Sequence, residues 1–418
     1  MKTLTKILLT FFLTISCLLS PTYSFSQGTW TQKTAFGGTA RWYASGFCIN
    51  TKGYIGTGYG NGYKRDFWEW DQNTNAWTQK AVFGGTIRAG IAAFSIGTKG
   101  YIGTGEDASV RYKDFWEWDQ ATDTWTQKAV FGGTARRTAV SFSIGNKGYI
   151  GTGWDGTACK QDFWEWNGDP ASSTYNTWTQ KASFGGAARL GAAGFVIGTK
   201  AYIGTGISGT PSNYTYYNDL WEWDQTINSW AAKTNFPGAA RHSATGFSIA
   251  NKGYLGTGSA GSTSITRYQD FWEYNPVTDT WAQCTNFGGS ARQGAVGFSI
   301  GTKGYIGTGE DPGYKQDFWE YDPNGITSVS ESSIETAVSV FPNPFSTQVA
   351  FNLREEVNDA SLFIYDLSGK EVNQINFSGK QIIVQRENFS LGTYLYKIIS
   401  EGKNIQIAIG TGKLIIQK

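Results

Sequence analysis

A block of about 50 residues recurs along the chain, and this recurrence constrains the fold more than any other feature of the sequence. The tryptophan of its "WTQK"-like element stands at Trp30, Trp77, Trp125, Trp178, Trp230 and Trp281, with spacings of 47, 48, 53, 52 and 51 residues. After it come "FGG" or "FPG", an arginine, a run of small residues, "GTKGYIGTG" or a close variant, a variable loop and "DFWEWD" or a close variant. Repeats of this length are typical of folds in which copies of one structural unit stack on each other.

Each repeat has the pattern of four short β-strands. In "DFWEWD", Trp68 and Trp70 alternate with Phe67 and Glu69, so both faces of this strand carry large side chains. The first strand is rich in Gly, Ala and Ser, as expected where several backbones crowd around one axis, and no segment shows sustained helical periodicity. Six four-stranded units with two buried faces predict an all-β chain that forms a six-bladed β-propeller.

The order "FGG", arginine, "GTKGYIGTG" and "DFWEWD" resembles kelch repeats, with Gly56-Thr57-Gly58 in place of the double glycine usual in that family. This resemblance implies a kelch-type propeller over residues 28–322. The last repeat stops after "DFWEYD", whereas the chain begins with a "TWTQK" strand that has no repeat before it. We therefore predict that Thr29 to Lys33 pairs with Asp317 to Asp322 and closes the propeller, covering two edges that would otherwise be open.

The two ends of the chain have other compositions. Residues 1–26 combine early lysines, an apolar run and small residues, which predicts a secretory signal peptide. Cys17 leaves a lipoprotein signal as an alternative, although Thr14-Ile15-Ser16 before it is a poor match. No later apolar stretch approaches the length of a membrane helix. A polar linker is predicted over 323–336, followed by a strand-rich domain over 337–418.

At "SVFPNPF", "IYDLSGK", "LGTYLYKI" and the terminal "GKLIIQK", this last domain resembles the C-terminal sorting domain of proteins exported by the type IX (Por) secretion system of Bacteroidota. The resemblance implies a small Ig-like β-sandwich, a partner in the type IX machinery, and a mature protein that is secreted or attached to the outer cell surface. The residues that match the family motifs are Pro342, Asn343, Pro344, Gly369, Lys370, Gly392, Tyr394, Lys413 and Leu414.

One face of the predicted propeller carries the candidate binding residues. Each repeat has one arginine at the start of its first strand, and we expect these arginines to surround the mouth of the central channel: Arg41, Arg88, Arg136, Arg189, Arg241 and Arg292. Six positive charges in a ring repel one another and need compensation. Either the arginines pair with the glutamate of the third strand (Glu69 in the first repeat), or they bind an anionic ligand over the channel.

The variable loops on the same face supply aromatic candidates, namely Tyr63, Tyr112, Trp154, Tyr216, Tyr268 and Tyr314. Loop diversity on a rigid scaffold is typical of binding surfaces, and exposed rings suit stacking on sugars or docking of a peptide. The alternative is that these rings fold back over the rims of the sheets as packing.

Catalytic and metal chemistry find little support in the sequence. His242 is the only histidine, the three cysteines beyond Cys17 follow no pattern, and the acids of "GED" (Glu106-Asp107 and Glu310-Asp311) have the character of solvated loop residues. We see no residue that breaks the sixfold pattern as a catalytic pocket would, and we expect no cofactor and no metal. A net charge of +2 with dispersed basic residues argues against nucleic acid.

The favoured hypothesis is thus a non-catalytic module that binds an extracellular glycan or protein. A carbohydrate-active enzyme resembling kelch-type sialate epimerases, and a structural surface or adhesion component, remain alternatives.

Overall fold

The computed structural model describes residues 28–210, 213–262, 264–325, 338–367, 370–386, 389–402 and 405–418. The regular elements in these residues are β-strands. The chain divides into two compact units, Met1–Thr327 and Ser328–Lys418. The predicted signal peptide with Cys17, and the predicted linker beyond Gly325, lie outside the described residues.

The described part of the first unit contains six four-stranded antiparallel sheets. The N-terminal strand is β1 (Thr29–Lys33). The first three repeats form β2 (Ser45–Ile49), β3 (Lys52–Gly56), β4 (Phe67–Asp71), β5 (Ala76–Lys80), β6 (Ala92–Ile96), β7 (Lys99–Gly103), β8 (Phe115–Asp119), β9 (Thr124–Gln127), β10 (Val140–Ile144), β11 (Lys147–Gly151), β12 (Phe163–Asn167) and β13 (Trp178–Lys181).

The last three repeats also contain short hairpins in their variable loops. The fourth repeat forms β14 (Ala193–Ile197), β15 (Lys200–Gly204), the hairpin β16 (Ile207–Thr210) and β17 (Asn213–Tyr216), β18 (Leu220–Asp224) and β19 (Ser229–Lys233). The fifth forms β20 (Thr245–Ile249), β21 (Lys252–Gly256), the hairpin β22 (Ser259–Ala260) and β23 (Thr266–Arg267), β24 (Phe271–Asn275) and β25 (Thr280–Gln283). The sixth forms β26 (Val296–Ile300), β27 (Lys303–Gly307), the hairpin β28 (Glu310–Asp311) and β29 (Gly313–Tyr314), and β30 (Phe318–Asp322).

The sheet of the last repeat is completed by the beginning of the chain. Its strand order is β1-β30-β27-β26, with Thr29 opposite Asp322 and Lys33 opposite Phe318. The Trp30 ring packs within 5.1 Å of three aromatic rings, those of Phe271, Phe287 and Tyr321. The pairing predicted for Thr29 to Lys33 is therefore the pairing that the structure contains.

Backbone hydrogen bonds run from each repeat to the next and return from the sixth to the first. Six residues, each two positions after a repeat arginine, donate their N–H to the carbonyl of the equivalent residue in a neighbouring repeat, at 2.7–3.1 Å. We call these residues the mouth ring: Tyr43, Gly90, Thr138, Gly191, Ser243 and Gly294. All six have positive φ, between 48° and 65°. A second cycle joins the last glycine of each Gly-Thr-Gly to the arginine carbonyl of the next repeat, as in Gly309 N–H to Arg41 O at 2.7 Å.

Aromatic side chains pack between neighbouring sheets in the same way around the unit. Trp70 of the first repeat lies with its ring centre 5.0 Å from those of Tyr305 and Phe318 in the sixth repeat. Gly53 permits the Phe298 ring of the sixth repeat to pack against the first repeat, because a Cβ atom at position 53 would lie 2.4 Å from that ring. The first strands of all six repeats line a central cavity of about 180 Å³. This arrangement of sheets is consistent with a propeller.

The second unit contains β31 (Val338–Phe341), β32 (Gln348–Tyr365), β33 (Glu371–Gln385), β34 (Gly392–Gly402) and β35 (Ile405–Ile416). Instead of two separate sheets, hydrogen bonds link these strands into one five-stranded antiparallel sheet. The long β32 pairs with β31 along its first part, β34 along its last part and β33 along both. Register shifts after Asn352 and Val357 allow β32 to bend. The bent sheet encloses an apolar core that includes Phe351, Leu362 and Ile398, each fully buried.

Candidate functional site

Three positions in each repeat form the surface around the mouth ring, which we call the loop face. The residue after the repeat arginine pairs with the first residue of the variable loop, as Trp42 does with Tyr59. In each repeat an aspartate directly precedes the third strand, as Asp66 does in the first repeat, and we call it the strand-entry aspartate. The first loop residue also pairs with the residue three positions before this aspartate, as Tyr59 does with Tyr63. These positions differ between repeats, so the loop face is not sixfold symmetric in its chemistry.

The six repeat arginines lie beneath this face and are at most 1% exposed. Each forms a bidentate ion pair with the aspartate that precedes the third strand, as in Arg136, whose two terminal nitrogens lie 2.6 and 2.7 Å from the Asp162 carboxylate oxygens. The partners in chain order are Asp66, Asp114, Asp162, Asp219, Asp270 and Asp317. The expected pairing with the third-strand glutamate is thus corrected, because the aspartate lies at the same end of the strand as the arginine.

Further contacts engage each guanidinium group. Arg136 donates to the carbonyl oxygens of Thr134 and Thr152, at 3.0 and 2.9 Å, and its guanidinium lies 4.9 Å from the centre of the Phe131 ring. In the first repeat, burial is the largest single influence on the pKa of Asp66 and raises it, but the hydrogen bonds and charge of Arg41, together with hydrogen bonds from Trp68 and the backbone, hold this pKa below its usual value. The mutual repulsion of the arginines is therefore compensated inside each repeat.

The third-strand glutamates lie in a separate cluster. Glu165 accepts a hydrogen bond from the Tyr149 hydroxyl at 2.7 Å and pairs with Lys147 Nζ at 2.7 Å. The other repeats place a tyrosine against the glutamate in the same way. The glutamates of the fifth and sixth repeats, Glu273 and Glu320, are less buried than the other four. This cluster has no contact with the repeat arginines among the hydrogen bonds of the described residues.

The five predicted loop tyrosines fall into two groups. Tyr112 and Tyr268 lie over the buried arginines of their own repeats, with the guanidinium carbons of Arg88 and Arg241 at 3.8 and 4.0 Å from the ring centres. Both tyrosines stand two residues before the strand-entry aspartate, as does Tyr217, which covers Arg189 at 4.0 Å. These rings are packing elements of the framework.

The second group lies on the loop face. Tyr63 and Tyr314 approach the Tyr59 ring to 4.9 and 5.9 Å, and Tyr216 approaches the His242 ring to 5.8 Å. Tyr63, Tyr216 and Tyr314 stand three residues before the aspartate, one position away from the first group. Successive residues of an extended segment face opposite sides, which explains the division.

A pocket of about 320 Å³ opens on the loop face between the first and third repeats. We call it the aromatic pocket, and the residues that define it are Trp42, Tyr43, Tyr59, Tyr63, Glu106, Arg137 and Thr138. The Trp42 and Tyr43 rings lie 4.4 Å apart and are tilted by 34°. Four aromatic side chains thus surround one cavity that the other repeats do not reproduce in sequence.

The polar wall of the aromatic pocket is an ion-paired cluster. Glu106 lies 2.8 Å from an Arg137 terminal nitrogen and 3.5 Å from Arg111 Nε. The two guanidinium groups lie on the Trp154 ring, at 4.2 Å for Arg111 and 5.0 Å for Arg137. Trp154, a predicted binding residue, therefore supports both arginines, and Glu106 is an ion-paired residue rather than the solvated acid that the sequence suggested.

The mouth ring carries one large side chain, and sequence reasoning missed it. The Tyr43 hydroxyl crosses the mouth to lie 2.6 Å from Ser243 Oγ, which is 2.9 Å from His242 Nδ1. Burial raises the pKa of Tyr43, and burial with the nearby charge of Arg137 lowers the pKa of His242 to about 4. Tyr43 departs from the repeat pattern at this position, where the equivalent residues are Gly, Thr, Gly, Ser and Gly.

In the second unit, the motif residues at the two ends of the domain meet. Asn343 donates to the carbonyl of Lys413 at 2.7 Å and accepts from Ile415 N–H at 2.8 Å. Pro342, Asn343, Pro344 and Lys413 are exposed, whereas Leu414 is fully buried.

The remaining motif residues lie elsewhere in this unit. Gly392 begins β34, and the Tyr394 hydroxyl donates to Ser390 O at 3.1 Å. Lys370 N–H donates to Asp366 at 3.1 Å. Gly369 lies outside the described residues.

Two other kinds of site are absent from the described ranges. No cluster of three or more His, Cys, Asp and Glu side chains there is arranged to hold a metal ion. No helix in the same ranges has the length and apolar character needed to cross a membrane. The cysteines of the described part, Cys48, Cys159 and Cys284, are free thiols.

Residues 339–417 match the family Por_Secre_tail, described as the secretion system C-terminal sorting domain. The chain carries a C-terminal sorting domain. The sorting domain indicates export, followed by secretion or attachment to the cell surface. A search of curated proteins found no match for the chain.

Among solved structures, the chain is similar to one titled "Structure of YjhT", a propeller-type protein, with a TM-score of 0.59 and 15% sequence identity. The similarity covers 69% of this chain and 95% of that chain. At this identity the similarity bears on the fold alone.

Proposed function

We propose that the repeat unit is a closed six-bladed propeller of the kelch type that binds a glycan outside the cell, without catalysis, after export by the type IX machinery. The architecture is supported by the two hydrogen-bond cycles and by the pairing of β1 with β30. The location is supported by the sorting domain at 339–417.

The aromatic pocket is the observation that carries the binding proposal. Its volume of about 320 Å³ falls within the roughly 300–1,000 Å³ typical of small-molecule sites. Trp42, Tyr59 and Tyr63 offer ring faces, which stack on the C–H faces of sugars while hydroxyl and N–H groups bind sugar oxygens. The six arginines do not supply this site, because their guanidinium groups are buried against aspartates.

Binding without turnover is favoured by the acid chemistry of the pocket. Glu106 is the one carboxylate among the described residues that define the pocket, and two arginines hold it. Glycoside hydrolysis commonly requires two carboxyl groups on either side of the scissile bond.

A glycan array with the purified full chain, followed by calorimetry on each hit, tests this proposal. Trp42→Leu places in the first repeat the residue that Leu190 supplies at the same position of the fourth repeat, so we expect the variant to fold. We expect its affinity to fall about tenfold or more, since a tryptophan at the centre of a binding site often dominates the energy. Leu190→Ala is the matched control and should bind as the wild type does.

The outcomes separate the alternatives. Binding that Trp42→Leu removes and Leu190→Ala retains, with the glycan recovered unchanged after long incubation, supports a binding module. Recovery of a chemically altered glycan would instead establish an enzyme. A chain that binds no glycan on the array would contradict the proposal and favour a structural surface role.

A further inference from the structure

The aromatic pocket has more hydrogen-bond donors than acceptors. Within the described residues, the buried atoms Trp42 Nε1, Arg137 Nε and Thr138 Oγ1 have no hydrogen-bond partner, and each belongs to a residue that lines this pocket. Buried donors in proteins are almost always satisfied, so unmatched donors that converge on one cavity point to a ligand that supplies acceptors. Two of the three groups are N–H donors that can only donate.

The carboxylate in the wall cannot supply the missing acceptors, because it is already shared. Glu106 directs one oxygen to Arg137 and the other towards Arg111. One negative charge therefore faces two positive charges. Of the other nearby carboxylates, Asp162 pairs with Arg136 and Asp155 pairs with Lys160 at 2.5 Å, whereas Asp107 accepts hydrogen bonds from the Tyr112 hydroxyl and from the backbone N–H groups of Ser109 and Val110. The cluster keeps an excess of positive charge beside a cavity with unmatched donors.

The site continues outwards beyond the pocket. Arg111, whose guanidinium lies on Trp154, also lines a groove of about 750 Å³ between the second and third repeats. We call this the rim groove, and its lining includes Lys113, Trp164 and Gln180. Lys113 is exposed, and the Trp164 ring is half-buried. Arg111 thus lines the rim groove, whose lining also includes the Asp162 carboxylate, and contacts Glu106 in the wall of the aromatic pocket at 3.5 Å.

From this geometry we infer that the site takes an anionic oligosaccharide chain, with an acidic sugar in the aromatic pocket and further units passing over Arg111 into the rim groove. This inference rests on the proposed glycan binding and names its ligand class. A carboxylate or sulfate group on the first sugar would accept from the guanidinium group of Arg137, whose side chain is 33% exposed. Arginine suits such oxyanions because it presents its N–H groups in a fixed plane. The exposed Lys113 would meet a second acidic unit.

Calorimetry with the full chain and defined oligosaccharides tests the inference. The probes are oligogalacturonates of one, three and six units, the hexamer with its carboxyl groups reduced to alcohols, and a sulfated galactan hexamer. A hexamer of glutamic acid represents an acidic peptide. We expect the galacturonate hexamer and the sulfated galactan hexamer to compete with each other for the site. The affinity for oligogalacturonates should rise from one to six units and fall as the salt concentration is raised. Preference between the carboxylated and sulfated hexamers identifies the acidic group.

Substitutions localise the contact. Arg111→Gln and Lys113→Gln should each weaken hexamer binding by about tenfold, because each removes a charged hydrogen-bond donor. The matched control is Arg65→Gln, which removes an exposed cation from the same position of the first repeat, directly before the strand-entry aspartate. It should leave the affinity unchanged. Lys113→Gln should spare the monosaccharide, since the monosaccharide occupies only the pocket.

Three results would overturn the inference. These are equal binding of the carboxyl-reduced hexamer, stronger binding of the acidic peptide, and an affinity that ignores both Arg111→Gln and Lys113→Gln. If the carboxyl-reduced hexamer binds equally well and Trp42→Leu removes this binding, the anionic ligand is rejected while the proposed glycan site stands. If neither the anionic nor the uncharged sugars bind, the proposed function itself is rejected.

Discussion

Replacing Arg136 by methionine tests the claim that the buried arginines hold the repeats together. Arg136 is fully buried, and its two terminal nitrogens contact the Asp162 carboxylate at 2.6 and 2.7 Å. Methionine retains an apolar stem of similar reach and removes the cation. The substitution leaves a carboxylate in a partly buried site, together with the carbonyl groups of Thr134 and Thr152 without their donor.

The expected loss is about 3–5 kcal/mol of unfolding free energy, the usual effect of removing one partner from a buried ion pair. The lower end is favoured, because the Asp162 side chain is 23% exposed and keeps a hydrogen bond from Trp164 Nε1 at 2.8 Å. For a domain of this size, each kcal/mol changes the melting temperature by about 2 °C, so the variant should melt about 6–10 °C earlier.

Tryptophan fluorescence suits the assay, since the last of the 18 tryptophans is Trp319 and the signal therefore follows the repeat unit alone. Lys147→Met is the control in the same repeat. Its ammonium pairs with Glu165 at 2.7 Å but is 41% exposed, so the expected loss is below about 1 kcal/mol. If Arg136→Met costs no more than Lys147→Met, then the arginine is not a structural element, and the reasoning that excludes it from ligand binding fails.

Three further predictions concern other parts of the chain. Deleting Gly28 to Lys33 removes β1 and exposes the edge of β30, and the lost packing of Trp30 alone should cost about 3–5 kcal/mol; an unchanged fluorescence melt would contradict closure by this strand. His242 has a folded-state pKa of about 4, below the 6.5 of the free side chain. The unfolded chain therefore takes up the proton first, and up to about 3 kcal/mol should be lost as pH falls from 6.5 to 4. His242→Gln should flatten this part of the stability profile, and an identical profile would show that His242 is not responsible. Asn343→Ala should destabilise the sorting domain by about 1–2 kcal/mol, because two backbone hydrogen bonds are lost; limited proteolysis of the full chain measures this, and an unaltered cleavage rate would contradict it.

The sequence predicted the repeat framework better than the chemistry of the loop face. Spacing and alternation are properties of every repeat, so six copies reinforce the same prediction of four strands and of an N-terminal strand paired with the sixth repeat. The partner of the arginines was predicted wrongly because each repeat offers two acids, Asp66 and Glu69 in the first. Opposite charge does not reveal which end of a strand an acid occupies, whereas the start of the first strand lies beside the start of the third.

For the loop tyrosines too, residue type alone does not reveal where the side chain points. Tyr63 and Tyr112 stand in corresponding loops and differ by a single position relative to the strand-entry aspartate. That one-residue shift turns Tyr112 onto the buried Arg88 and Tyr63 towards the aromatic pocket. Counting from the aspartate would have separated the two groups. Tyr43 was missed because it lies in a run of small residues, where only a comparison of the six equivalent positions reveals it.

The framework and the loop face therefore carry separate information in each repeat. The arginine, its aspartate and the aromatic residues of the strands point inwards and are nearly identical in every copy, so they fix the sheets but cannot distinguish one ligand from another. The positions that follow the arginine, open the loop and stand three residues before the aspartate point to the mouth, where Trp42, Glu106, Arg111 and Arg137 meet. Substitution at these positions leaves the buried ion pairs untouched. Under the proposed function, an exported protein built in this way can change its ligand without a cost in stability, and the variants Trp42→Leu and Arg111→Gln should show this by losing affinity while melting as the wild type does.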